Sequence, residues 1–220
     1  YTASALKLKE ALAGGAWSGN GKLEVLSQLM RLRQICCDPA LCFEDYTGES
    51  AKLETCVSLI ASASAAGHKI LLFSQFASML ERIRERLLQE GISSHLLVGA
   101  TPKEERSRMV QAFASDEVPV FLISLKAGGT GLNLTAADIV IHYDPWWNVA
   151  AQNQATDRAY RIGQEKPVTV YKLILKDTIE ENLLKLQNAK LALAAQVVSE
   201  GMVSLGDLSQ NELMELFEQN

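Results

Sequence analysis

At 220 residues and 24.1 kDa the chain can bury one large core, or one domain with helical additions, and it has no apolar run of membrane-spanning length. Its net charge of −5 announces no nucleic-acid partner, so any such surface must be a local stripe. Residues 69–176, with 13 basic and 11 acidic side chains, are where a stripe would lie, since the flanks carry 8 basic and 15 acidic.

The chain starts at Tyr1 without a Met and is helix-like by Ala5, which reads as a fragment; nothing there resembles a signal peptide. The first 66 residues form a predicted helical lead-in, with helices over Leu6–Ala13, Leu23–Cys36 and Ala51–Ala66. Gly14-Gly15, Gly19 to Gly21 and the acidic loop Glu44–Glu49 break them. Cys36, Cys37 and Cys42 cluster without a second pair at zinc-ligand spacing and Cys56 stands alone, so they read as reduced thiols and not as a metal site or disulfides.

From Lys69 onward, strand-like and helix-like patterns alternate. Ile70–Phe73 is a short apolar run, and Phe76, Met79, Leu80, Ile83 and Leu87 mark one face of a helix that Gly91 stops. Ile92–Val98 reads as a second strand, and Thr101-Pro102-Lys103-Glu104 as a capping box with Pro at the first helical position. Val118–Ile123, Ile139–His142 and Val168–Leu175 are further β-branched runs. Strands separated by helices predict a parallel sheet covered on both faces, the α/β class. Thr178–Ser199 reads as one long helix, and the tail around Asn211–Phe217 as a short amphipathic helix that docks on this domain or a neighbour.

Three segments carry candidate chemistry. Between two predicted strands, Leu125 to Leu134 includes Gly128, Gly129 and Gly131, which suit either a tight turn or a backbone that closely approaches a ligand at the carboxyl end of a sheet. Asp144-Pro145-Trp146-Trp147-Asn148 follows the next strand; Asn148 suits an N-cap, and two adjacent tryptophans cannot both face one core. On the helix this predicts, Gln154, Arg158 and Arg161 fall at i, i+4 and i+7. Taken alone, that face is either solvated, with an Asp157 to Arg161 ion pair, or an anion site, because two guanidinium forks match a phosphate in the manner of arginine fingers. Ala151, Ala155, Ala159 and Ile162 form an apolar stripe beside it. The only Gly-Lys pair, Gly21-Lys22, sits in no Walker A loop, and Asp116-Glu117 precedes a strand where a Walker B acid would end one. Phosphate-seeking arginines without a triphosphate cradle describe half of a site.

In this order the elements resemble the second RecA-like lobe of the SWI/SNF-type ATPases of helicase superfamily two, from about Leu26 to Lys190. Met30 to Leu41 is similar to the helical entry into that lobe, Lys69 to Phe76 to motif IV, Gly99 with Arg106 to motif IVa, Ser124 to Leu134 to motif V, and Gln154 to Gln164 to motif VI. Val149 stands where the family has Pro, and Cys37-Asp38 where it has Asn-His.

The resemblance implies a RecA-like parallel sheet sandwiched by helices, with a helical N-terminal extension and a brace helix from Thr178. It divides the chain at 1–66, 67–176 and 177–220. It implies that Arg158, Arg161 and Gln154 serve catalysis on ATP with Mg2+, both held mainly by a first lobe of the same polypeptide, so that this chain alone is inactive and holds no metal. Gly129 and Gly131 would approach the nucleotide. Ser74, Gln75, Arg106, Lys126, Gly128 and Thr130 would line a track for double-stranded DNA phosphates, and Trp146 and Trp147 would contact a neighbouring lobe. The implied whole is a DNA translocase of the remodeller type, monomeric, soluble and intracellular: in cytoplasm or nucleoid if prokaryotic, in the nucleus if eukaryotic. The alternatives are a strand-separating or RNA-acting helicase lobe and a regulatory scaffold that has lost its chemistry.

Overall fold

The computed structural model describes residues 1–15, 21–125, 127, 133–161, 164, 166–194, 214, 216 and 217. In chain order the elements are α1 (Thr2–Ala13), α2 (Gly21–Cys37), a 3₁₀ turn (Pro39–Leu41), α3 (Ala51–Ala65), β1 (Ile70–Ser74), α4 (Ala77–Gln89), β2 (Ser94–Leu97), α5 (Lys103–Ser115), β3 (Val120–Ser124), β4 (Ile139–His142), α6 (Val149–Thr156), β5 (Thr169–Lys172) and α7 (Ile179–Ala194). Two compact units result: one of Glu49–Trp146 with Ala150–Leu173, and one of Tyr1–Gly48 with Trp147–Val149 and Ile174–Asn220. No helix among the described residues is long and apolar enough to cross a membrane.

The first of these units carries the sheet. Its five strands are all parallel, in the order β2-β3-β1-β4-β5, as the alternation of short apolar runs with helices requires. β1, β3 and β4 are buried from end to end, which is why they are unbroken apolar runs and not alternating ones. Leu71, Phe73, Phe121, Ile123, Leu97 and Val140 form one core with Phe113 of α5 and with Ala155 and Ala159. α4 buries Met79, Leu80, Ile83 and Leu87, the face its periodicity predicts.

Two glycines punctuate this unit. Gly67 and Gly91 have φ of 81° and 73°, a left-handed conformation that costs a residue with a Cβ more. Each closes a paired C-terminal motif: His68 N–H donates to Ala63 O and Gly67 N–H to Ser64 O, while Ile92 N–H donates to Leu87 O and Gly91 N–H to Leu88 O. The start of α5 departs from the expected capping box. Helix α5 begins at Lys103 with no side-chain cap, and the Thr101 hydroxyl instead accepts from Val98 N–H at 3.1 Å. A threonine side chain reaches its neighbouring backbone on either side, and here the end of β2 wins.

The second unit is helical. Leu8 and Leu12 of α1, Val25, Leu29, Leu32 and Cys36 of α2, and Ile179 and Leu183 of α7 share a core with Leu216 and Phe217. Leu216 and Phe217 of the tail thus dock on this unit of their own chain: Leu216 is 1% exposed and its carbonyl accepts from Asn182 Nδ2 at 3.0 Å. At the start of α7 the Thr178 hydroxyl accepts from Glu180 N–H, and Tyr1 Oη accepts from Ile179 N–H at 2.6 Å, satisfying two of the orphan donors of a helix N-terminus. All four cysteines are free thiols, three buried and Cys42 half-buried.

Candidate functional site

Within the sheet unit, the connections out of β1 and β4 diverge. The chain leaves β1 toward β2 on one side and leaves β4 toward β5 on the other, so the carboxyl ends of these adjacent strands form the switch point where open α/β sheets bind ligands. Ser74 ends β1, and its hydroxyl donates to Asp144 Oδ1 at 2.5 Å while accepting from Phe76 N–H at 3.1 Å. Gln75 donates to Asp144 twice, from Nε2 to Oδ2 at 2.6 Å and from its backbone N–H to Oδ1 at 3.3 Å. Ser74 is 0% exposed and Gln75 half-buried, so of these two expected phosphate contacts only Gln75 reaches the surface, and the Ser74 hydroxyl is committed to Asp144.

Lys126, Gly128, Gly129, Thr130 and Gly131 lie outside the described residues. The flanks of their loop are tied to the site. Leu125 N–H donates to Ser74 O at 2.9 Å, and Leu134 N–H donates to Arg158 O at 3.2 Å. Arg106 clamps this region: its Nε donates to Thr101 O at 2.8 Å, Nη2 to Gly99 O at 2.9 Å and Nη1 to Ala127 O at 3.5 Å. One guanidinium fork thus joins the β2–α5 connection to the loop after β3.

The expectation that Gln154, Arg158 and Arg161 share one helical face is corrected by the structure. Helix α6 stops at Thr156, because the chain tightens into three-residue bonds, Arg158 N–H to Ala155 O at 3.3 Å and Ala159 N–H to Thr156 O at 3.1 Å. The Arg158 carbonyl then accepts from Leu134 N–H. Gln154 is exposed on α6, Arg161 is exposed after the turn, and Arg158 is turned inward at 2% exposure. Its Nε and Nη1 have no hydrogen-bond partner among the described residues. Burial, reinforced by the neighbouring Arg161 charge, holds its pKa below the ordinary arginine value, although a guanidinium stays protonated. A buried cation lacking an anion is unfavourable, and an incoming phosphate would relieve it.

Trp146 and Trp147 are both half-buried and belong to different cores. Trp146 packs on the sheet core, and the Trp147 ring lies in the helical core under the Arg33 guanidinium, 5.5 Å from ring centroid to Cζ. Gln164, at the end of the arginine segment, donates from Nε2 to Thr135 O at 3.0 Å and Ala137 O at 2.7 Å, anchoring the segment to the entry of β4. Sequence reasoning assigned no role to Asp144 or His142. The only available signal was a polar residue at the end of an otherwise apolar strand. No group of three or more His, Cys, Asp or Glu side chains among the described residues is placed to hold a metal.

Residues 51–163 match the helicase conserved C-terminal domain family. The SWI2/SNF2 ATPase C-terminal domain of Sulfolobus solfataricus superposes with a TM-score of 0.71 at 30% identity, over 96% of this chain and 92% of that one. The core of the same archaeal ATPase in complex with dsDNA superposes with a TM-score of 0.79 at 33% identity, over 99% of this chain and 46% of that one. A Bacillus subtilis protein provisionally named ATP-dependent helicase/translocase YwqA is 44% identical over 205 residues, covering 89% of this chain. This chain belongs to the helicase conserved C-terminal domain family, as a C-terminal lobe of the SWI2/SNF2 type. It spans 22% of the length of the Bacillus protein and 19% of the two mycoplasma helicases it also matches.

Proposed function

We propose that this chain is the second motor lobe of an ATP-dependent translocase on double-stranded DNA, and that Arg158 and Arg161 complete an ATP site whose phosphate cradle lies on a first lobe of the same polypeptide. The observation that carries this reading is Arg158: a buried guanidinium with two nitrogens that have no partner among the described residues, tied through its carbonyl to the end of the glycine-rich loop. Those nitrogens fit an anionic γ-phosphate. Mg2+ would be held with ATP mainly by the first lobe. Bound there, ATP and Mg2+ supply the phosphoryl group to be cleaved and a counter-charge for it.

The residues here do the rest. Arg158 and Arg161 stabilise the charge that develops on the phosphoryl oxygens, Gln154 on the exposed surface of α6 serves the same catalysis, and Gly129 and Gly131 let backbone approach the nucleotide. Gln75 and Arg106 border the DNA phosphates with Lys126, Gly128 and Thr130, while Ser74 stands behind Gln75 and holds Asp144. Trp146 and Trp147 meet the neighbouring lobe.

The test is DNA-stimulated ATP turnover by the full-length polypeptide carrying Arg158→Ala or Arg161→Ala. A loss of about 10³-fold or more is expected for an arginine finger, and near wild-type turnover sinks the assignment. This chain alone is expected to hydrolyse no ATP above background, and turnover by it would overturn the half-site reading. DNA binding by the two-lobe protein weakens steeply with salt, because phosphate contacts release counterions; a flat salt profile excludes the track.

A further inference from the structure

His142 closes β4, a strand whose other three residues are Ile139, Val140 and Ile141, and it is 1% exposed. Its ring stacks on Phe73, centroids 5.7 Å apart, which a phenylalanine would do as well. What an apolar residue lacks is the contact from Nε2 to Thr156 Oγ1, at 2.9 Å. Thr156 is the last residue of α6, and its hydroxyl also donates to Gln152 O at 3.3 Å. A hydroxyl has one hydrogen, so while it donates to Gln152 it must accept from His142, and the ring carries its proton on Nε2. Nδ1 is then a bare lone pair, buried and without a partner among the described residues. Burying an unsatisfied ring nitrogen costs stability, so packing alone does not account for a histidine here.

The chain of contacts continues. Gln152 is buried, and its Oε1 accepts from Trp146 N–H at 3.0 Å. Three side chains therefore strut the end of β4, the last turn of α6 and the loop that joins them. From Arg158 to Arg161 the described backbone keeps no unbroken four-residue ladder. The backbone of Arg158 is fixed by Ala155 O and Leu134 N–H, and Ala159 and Tyr160 both donate back to Thr156 O, at 3.1 and 3.4 Å.

We propose that His142, acting through the Thr156 hydroxyl, is a positioning residue for Arg158: it sets where α6 ends, and so where the guanidinium meets a phosphate. This rests on the reading of Arg158 as a phosphate contact.

The experiment is a steady-state comparison in the full-length, two-lobe polypeptide with saturating DNA. In His142→Gln the side-chain amide occupies the Nε2 position and donates to Thr156; in His142→Asn it falls at the Nδ1 position and cannot reach. Thr156→Val removes the hydroxyl at constant shape, and Thr156→Ser restores it. His142→Asn and Thr156→Val are expected to lower kcat about tenfold, as for one lost hydrogen bond expressed in the transition state, with KM for ATP unchanged. His142→Gln and Thr156→Ser return to within about twofold of wild type, although thermal unfolding shows both histidine variants destabilised. On an Arg158→Lys background, Thr156→Val adds less than about twofold, because the two act on one contact. Should His142→Asn not fold, the Thr156 pair makes the same contrast. Wild-type kcat in Thr156→Val with an impaired Arg158→Lys enzyme overturns the proposal and leaves the arginine reading standing, as does full additivity of the two. Wild-type turnover in Arg158→Lys sinks the reading beneath it.

Discussion

Mild acid should destabilise the sheet unit through one imidazole. Burial, reinforced by the nearby Lys172 charge, pushes the pKa of His142 down from 6.5 to about 4. Above pH 6.5 the ring is neutral in folded and unfolded chains alike, and it makes stability independent of pH. Between 6.5 and 4 the unfolded chain takes up a proton that the folded chain refuses, so stability falls as pH falls; below 4 both are protonated and the loss is complete. At 1.36 kcal/mol per unit, the loss across that window is about 3 kcal/mol, a large part of the roughly 5–15 kcal/mol that holds a domain folded. Urea unfolding of wild type and His142→Gln at pH 7.5, 6.5, 5.5 and 4.5 isolates this effect, because His68, His95 and every carboxylate are common to both. The variant is the less stable at pH 7.5, and the gap between the two narrows or reverses toward pH 4.5. A difference that stays constant across the series refutes the assignment of a buried, reluctant imidazole.

Phe121→Ala removes a ring that is 0% exposed and packs 5.3 Å from Phe113, and it should cost about 3–5 kcal/mol in the same urea assay. Asp144→Asn should free Gln75 and Ser74 together, because an amide accepts fewer of the three donors that meet the carboxylate. A cost of about 2–3 kcal/mol and faster amide exchange at Gln75 and Phe76 are expected. Gln164→Leu deletes two bonds to the entry of β4 and should cost about 2 kcal/mol, lowering turnover through the displaced arginine segment. A thiol reagent should modify half-buried Cys42 first, and more slowly than a free thiol because burial raises its pKa, with the other three reacting only on unfolding: Cys36, Cys37 and Cys56 are buried, and burial holds the Cys56 pKa at about 12.

Local chemistry was legible wherever neighbours along the chain decide it. The apolar runs at 70–73 and 139–142 became buried parallel strands, and the Met79, Leu80, Ile83, Leu87 face became the buried face of α4. Gly67 and Gly91 stop helices because only glycine adopts their φ without cost. The order of motifs was enough to indicate the family, since each motif is a short run with its own turn chemistry. Tertiary structure decided the rest, because it depends on groups far apart in sequence. Helix periodicity runs through Arg158 and Arg161 without interruption, yet the backbone tightens after Thr156, and Leu134, 24 residues earlier, donates to the Arg158 carbonyl. Thr101 carries a capping signature, yet its hydroxyl turns to β2. The helical pattern of 51–65 does not say that α3 joins the sheet, nor does Ser74 reveal that Asp144, 70 residues on, has claimed its hydroxyl. Residue types and spacing determined which chemistry this chain carries. Which of those side chains face outward, and which are held inside with their charge unanswered, was settled only when β1 and β4 came side by side.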